Sequence, residues 1–219
     1  MIARFLNRRE AGKELARKLT KYENRSDVIV LALPRGGVPV AYEVALALNA
    51  PLDVFLVRKL GLPGREELAI GAIASGGIQI LNQDIVRALG IDPSTIRSVL
   101  EQELQELTRR EESYRGNRPA PEVKNRTVML VDDGLATGAS MLAAVTGLRD
   151  QSPARIVVAA PAAAPQAIEL LESKVDEIVS VISPDPFEGV GKWYDDFSQT
   201  TDEEVMSLIN NAHRQLPHQ

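Results

Sequence analysis

Short continuous apolar runs alternate along this chain with segments of helical period. The runs fall at 28–33, 52–57, 127–131, 155–160 and 176–181. Runs of this length, apolar on both faces, predict strands of a parallel sheet covered on both sides. Between them, Ala11, Leu15, Ala16 and Leu19 recur at helical spacing, and 38–48, 139–149 and 165–172 read as helices, with Pro39 in a first turn. Asp202 is placed to cap a last helix ending near His213. Strand and helix in alternation predict an α/β fold with a mainly parallel central sheet and helices on both faces.

Two stretches interrupt the alternation. The first, 58–67, is a polar loop holding Gly61, Pro63 and Gly64, expected to be exposed and mobile. Residues 69–74 and 78–81 then form a hairpin about Gly76 and Gly77. The second is a long helix. Asp92 caps it and Pro93 takes its first position. Ile96, Val99, Leu100, Leu104 and Leu107 make one stripe, and Glu106/Arg110 and Glu111/Arg115 are i,i+4 pairs assigned to its wet side. It ends near Gly116, and a Pro-containing loop follows over 117–125. One domain over 1–219 is expected, with a helical insertion at 82–118 and a small C-terminal unit at 183–219 that includes a Pro- and Gly-rich loop.

Composition narrows the chemistry. The 219 residues include no cysteine, so disulfides, thiol nucleophiles and thiolate metal sites are excluded. Both histidines, His213 and His218, lie at the C-terminal end, which leaves none for a triad or a multi-histidine metal site in the body of the fold. Net charge is −5 and the pI is near 5.2, so no global field draws the chain to nucleic acid or an anionic membrane. No apolar run approaches the ~20 residues of a membrane span. The basic N-terminal stretch from Met1 to Tyr22 lacks a signal-peptide core and carries Glu10 and Glu14, so a cytoplasmic protein is expected.

Ligands of open α/β sheets bind beyond the carboxyl ends of strands. The richest such end is Val128-Met129-Leu130-Val131-Asp132-Asp133-Gly134-Leu135-Ala136-Thr137-Gly138-Ala139-Ser140. Two carboxylates are followed by a short loop that runs into a helix. Backbone N–H groups at a helix start bind phosphate, glycines let it approach, and Thr137 and Ser140 add hydroxyl donors. The carboxylates repel phosphate but accept hydrogen bonds from vicinal hydroxyls. Together they describe a sugar-phosphate site. The string is neither a Walker A loop nor a Gly-x-Gly-x-x-Gly loop.

This string resembles the phosphoribosyl pyrophosphate signature of the type I phosphoribosyltransferases. The resemblance implies that Asp132 and Asp133 hold the ribose hydroxyls. It implies that Leu135, Ala136, Thr137, Gly138, Ala139 and Ser140 surround the 5′-phosphate, with Mg²⁺ carried on the substrate pyrophosphate rather than bound directly by the protein. Two further segments are similar to the family in the same chain order. Pro34-Arg35-Gly36-Gly37 looks like its pyrophosphate loop, which often carries a non-proline cis peptide, here expected just before Arg35; read alone it is a tight turn. Arg58-Lys59 resembles its pyrophosphate-contacting dipeptide; read alone it is a solvated basic pair. The 61–67 loop looks like its catalytic flap, with Arg65 reaching the departing pyrophosphate, or it is only a hairpin tip. The fold implied is type I phosphoribosyltransferase-like, with 183–219 as a hood. The pattern is most similar to bacterial members whose acceptor is not established, and the 92–115 helix departs from the compact purine and orotate enzymes.

The reaction the resemblance implies is transfer of a phosphoribosyl group to a nitrogenous base with release of pyrophosphate. Ala136 stands where hypoxanthine-guanine enzymes carry an acid, which argues against a simple 6-oxopurine acceptor. Trp193, Tyr194 and Asp195 are candidates to grip the base; the same residues also read as a packing cluster with a solvated acid. A non-catalytic sensor of phosphoribosyl pyrophosphate is the alternative. Retention of Arg35, Arg58, Lys59 and a flap favours catalysis, and the pI and the lack of a helix-turn-helix extension speak against a nucleic-acid-binding regulator. The resemblance also makes a homodimer the expected assembly.

Overall fold

The computed structural model describes residues 4–116 and 118–216, without the side chains of 66 and 67. Met1, Asn117 and His218 lie outside the described residues. Five parallel strands form the central sheet: β1 (Val28–Ala32), β2 (Leu52–Val54), β6 (Thr127–Val131), β7 (Arg155–Ala162) and β8 (Glu177–Ile182), in the order β2-β1-β6-β7-β8. All four pairings are parallel. Successive strand residues face opposite sides. Val28, Val30 and Ala32 thus pack in one core with α1 (Arg8–Lys18), α2 (Gly37–Leu48) and α7 (Asp202–Gln215). Ile29 and Leu31 pack in the other with α5 (Ala139–Arg149) and α6 (Pro165–Glu172). Helices therefore cover both faces, as the apolar runs predict.

A second sheet, antiparallel and three-stranded, has the order β3-β4-β5, from β3 (Val57–Leu62), β4 (Arg65–Ala74) and β5 (Ile78–Leu81). The hairpin about Gly76 and Gly77 is present. The expected 58–67 loop is instead mostly strand. β3 pairs with β4 from Val57↔Ala74 to Leu62↔Arg65, regularly as far as Leu60 and with register shifts over 60–62, and 63–64 turn. The expected strand at 52–57 likewise ends at Val54, because Val57 has already joined the second sheet.

The long helix is α4 (Pro93–Arg115), capped by Asp92 and closed by Gly116 at positive φ. A short helix, α3 (Gln83–Ala88), precedes it. α4 packs over β3 and β4, while α5 packs on the other face of the same small sheet. One expected wet-side pair is not wet. Arg115 is 6% exposed and reaches Asp53, 8% exposed, with Nε 2.9 Å from Oδ1. Its Nη2 donates to the Val54 carbonyl at 2.8 Å, and Nη1 stands 3.2 Å from Glu111. The insertion is thereby bolted to the end of β2. At α7 the cap is Thr201, whose Oγ1 accepts from the Glu204 N–H; Asp202 is the first helical residue. Among the described residues no helix is long and apolar enough to cross a membrane.

Candidate functional site

The loop after β6 is built by its neighbours. Leu135 is buried; its N–H donates to the Ala162 carbonyl at 2.9 Å, and its own carbonyl accepts from Ala164 at 2.8 Å. These bonds fix the loop to the end of β7. Gly138 then takes φ +75°, a conformation costly for other residues, and starts α5. Ala136, Thr137, Ala139 and Ser140 are left exposed. A cavity of about 160 Å³ lies over this turn, walled by Asp132, residues 134–141 and Val190. The first N–H groups of α5 and the positive end of its dipole sit at this wall, a setting that favours a phosphate.

The two carboxylates are not equivalent. Asp132 lines the cavity; its Oδ1 accepts from the Asp133 N–H at 2.8 Å. Burial, and then the neighbouring Asp133 carboxylate, push Asp132 well above the usual carboxylate range. Asp133 turns the other way, its Oδ2 accepting from Arg8 Nε at 2.8 Å. A Cβ added at Gly36 would lie 2.0 Å from that oxygen, so only glycine lets the loop after β1 pass there. The Pro34–Arg35 peptide of that loop is cis.

Across the site, the 183–198 segment approaches from the C-terminal side. Phe5 N–H donates to the Trp193 carbonyl, and Asp195 and Asp196 N–H groups donate to Phe5 and Leu6 carbonyls, each at 2.9 Å. Tyr194 is 2% exposed and donates its hydroxyl to the Asp133 carbonyl at 2.6 Å. Burial raises this phenol far above its usual range, so it stays a neutral donor.

The phosphoribosyl transferase domain matches residues 2–196. The chain belongs to that family. The crystal structure of TT1426 from Thermus thermophilus superposes with a TM-score of 0.83 at 44% identity, covering 95% of this chain and 98% of that one. The "Putative phosphoribosyl transferase Rv0571c" of Mycobacterium tuberculosis is 42% identical over 210 residues, 96% of this chain and 47% of that protein. The chain thus spans about half the length of the curated relatives it matches. A uracil phosphoribosyltransferase of Acinetobacter baylyi is 32% identical over 113 residues, about half of each chain.

The structure gathers part of the expected set. Asp132 and the residues from Leu135 to Ser140 share one cavity. Pro34, Arg35, Gly36 and Gly37 lie beside it, Gly37 packing against Val131 and Asp132. The Arg35 guanidinium leans toward Asp202, 4.0 Å away. Arg58 and Lys59 part company, because neighbours on a strand face opposite sides. Arg58 is hydrogen-bonded to Glu103 of α4, with Glu106 3.9 Å away. Lys59 lines a second cavity of about 490 Å³ between the small sheet and α5, next to Ala139 and Ser140. Arg65 is exposed near the turn of the β3–β4 hairpin.

Of the three candidate acceptor residues, Tyr194 is not presented to a ligand: its ring is packed and its hydroxyl is taken. Asp195 is exposed and pairs with Arg4 at 3.6 Å. Trp193 packs near Phe187, with ring centroids 6.2 Å apart, and its buried indole N–H has no partner. Arg8 is the residue that sequence reasoning missed. A faint signal existed: Arg8 and Arg9 sit in the first turn of α1, where cations oppose the helix dipole and call for carboxylate partners. Arg9 finds Glu43 at 2.7 Å and Arg8 finds Asp133.

Proposed function

We propose that this chain transfers a 5-phosphoribosyl group from phosphoribosyl pyrophosphate to a nitrogenous base. The observation that carries the proposal is the cavity at the end of β6, which joins a carboxylate to a hydroxyl- and N–H-rich helix start. In this reading the 5′-phosphate occupies the 135–140 turn. The turn's N–H groups and the Thr137 and Ser140 hydroxyls donate to it. Asp132 accepts from the ribose hydroxyls at the cavity wall.

Pyrophosphate then leaves C1 as the base nitrogen bonds to C1 from the opposite face, with inversion, and the proton on that nitrogen passes to solvent. Positive charge grows on the ribose ring in the transition state. Asp132 is the carboxylate placed to stabilise that charge, and the same charge favours its ionised form. Arg35, in the loop after β1, and Lys59, on the cavity side of β3, would meet the departing pyrophosphate. Arg58 would join them on leaving Glu103, and Arg65 on closure of the hairpin tip. Magnesium fits as a companion of the substrate. Arriving with the substrate, it would supply positive charge to neutralise the leaving group.

The test is pyrophosphate release from phosphoribosyl pyrophosphate and Mg²⁺ across a panel of purine and pyrimidine bases. Base-dependent release supports the transferase and gives its acceptor class. Tight binding of the ribose phosphate without release by any base would favour the sensor, and no binding at all would end both readings.

A further inference from the structure

The ion pair behind the acid pair has no place in the mechanism above. The Arg8 and Asp133 side chains are only 11% and 14% exposed. Arg8 is held on every side. Its Nη1 donates to the Ser198 carbonyl at 2.6 Å, and its guanidinium carbon lies 3.9 Å from the Phe197 ring centroid. Asp133 is held equally, by Arg8 and Tyr194, with Gly36 pressed against its Oδ2. Asp132 has none of these contacts and borders the cavity instead.

We infer that Arg8 is a positioning residue that divides the work of the two carboxylates. It draws Asp133 out of ligand reach to tie together α1, the loop after β1 and the 193–198 segment, and it leaves Asp132 to meet the ribose hydroxyls. This rests on the transferase reading for the ligand's identity, but the contacts themselves do not.

Charge gives the arrangement a second effect. Adjacent carboxylates compete for one proton unless a cation compensates one of them. Arg8 is that cation and opposes the protonation of Asp132. The other ionisable groups nearby are Tyr194, neutral throughout the working range, and Asp196 from the 193–198 segment. Arg9 and Glu204 border the polar pocket of about 200 Å³ beside Arg8. Neither Asp196 nor Glu204 can replace the positive charge.

The experiment compares wild type, Arg8→Lys and Arg8→Gln. Ribose 5-phosphate, and phosphoribosyl pyrophosphate with Mg²⁺, are titrated calorimetrically from pH 5 to 8. Glutamine keeps a donor and bulk over Phe197 but no charge; lysine keeps the charge. The expected result for Arg8→Gln is binding weakened about 10-fold or more near pH 6. The acidic limb should move up by about one pH unit. Arg8→Lys should retain most of the wild-type profile. A folded Arg8→Gln protein with the wild-type profile would overturn the inference, as would equal shifts in both variants.

Melting without ligand supplies the independent arm. Asp133→Asn should restore the melting temperature of Arg8→Gln, and Asp132→Asn should not. Equal restoration by both would refute the division of labour. If wild type binds neither probe, the transferase reading falls, and the melting arm still decides whether Arg8 serves Asp133 alone.

Discussion

Arg115→Met is the sharpest test of how the long helix is fixed. The substitution keeps the apolar stem and removes the cation. Asp53 retains the Val54 N–H at 2.6 Å but loses the Arg115 Nε at 2.9 Å, and the Val54 carbonyl loses its 2.8 Å donor. Removing one partner of a buried pair strands the other, which costs about 3–5 kcal/mol. In a domain of this size each kcal/mol shifts the melting temperature by about 2–4 °C, so a fall of about 10 °C is expected at pH 7. The sign with pH is also fixed. Burial already holds Asp53 above its ordinary range, outweighing the pull of Arg115. A group raised in the folded state adds stability below its unfolded value and loses it as pH rises through the folded one. Without Arg115 the rise is greater, so the deficit of the variant should shrink as pH falls toward about 4. Thermal unfolding followed by circular dichroism from about pH 4.5 to 8 measures both effects. Asp53→Asn in the same chain should recover at least half the loss. A variant melting within about 2 °C of wild type at pH 7, or a deficit that widens toward acid, would refute the reasoning.

Three further outcomes are expected. Asp132→Asn with Asp133→Asn should lower ribose-phosphate binding or turnover by about 100-fold or more while the circular dichroism spectrum is kept; wild-type activity would remove the assignment of the site. Tyr194→Phe leaves the Asp133 carbonyl without its donor and should cost about 1–2 kcal/mol, read as a lowered denaturant midpoint at unchanged m. Glu103→Gln with Glu106→Gln releases Arg58, and calorimetry should then show several-fold tighter pyrophosphate binding; unchanged affinity would mean that Arg58 takes no part in holding it.

The central sheet is legible in the sequence because burial on both faces leaves no polar positions, so each strand stands out as an unbroken apolar run. The α4 helix is legible through Asp92, Pro93 and Gly116, which act locally. The site's phosphate turn is legible for the same reason: its residues are contiguous. The β3–β4 hairpin is not, because Gly61, Pro63 and Gly64 give a turn signal wider than the two residues that turn. Arg115 is misplaced by the sequence pattern because an i,i+4 pair with Glu111 fits a solvent face or a buried one equally well. Arg8 is invisible as a partner of Asp133, since 125 residues separate them and only the folded sheet brings them together.

The opposed faces of β3 constrain how this chain can vary. Loops absorb insertions and deletions readily, but a strand packed between two helices counts its residues in twos. Arg58 answers to the acidic helix α4, while Lys59 borders the cavity beside α5. Losing one residue from the 55–57 approach while the downstream pairing held would leave both cations in place. Losing one between Lys59 and the turn, unless the irregular pairing over 60–62 took up the change, would slide the pair past β4 and exchange their faces. The arginine would then stand beside the phosphate turn and the lysine beneath the carboxylates of α4. Length variation among chains of this type should therefore concentrate at the irregular 61–64 tip of the hairpin and in the segment from β5 to α4, and the spacing from Val57 to Leu60 should hardly vary.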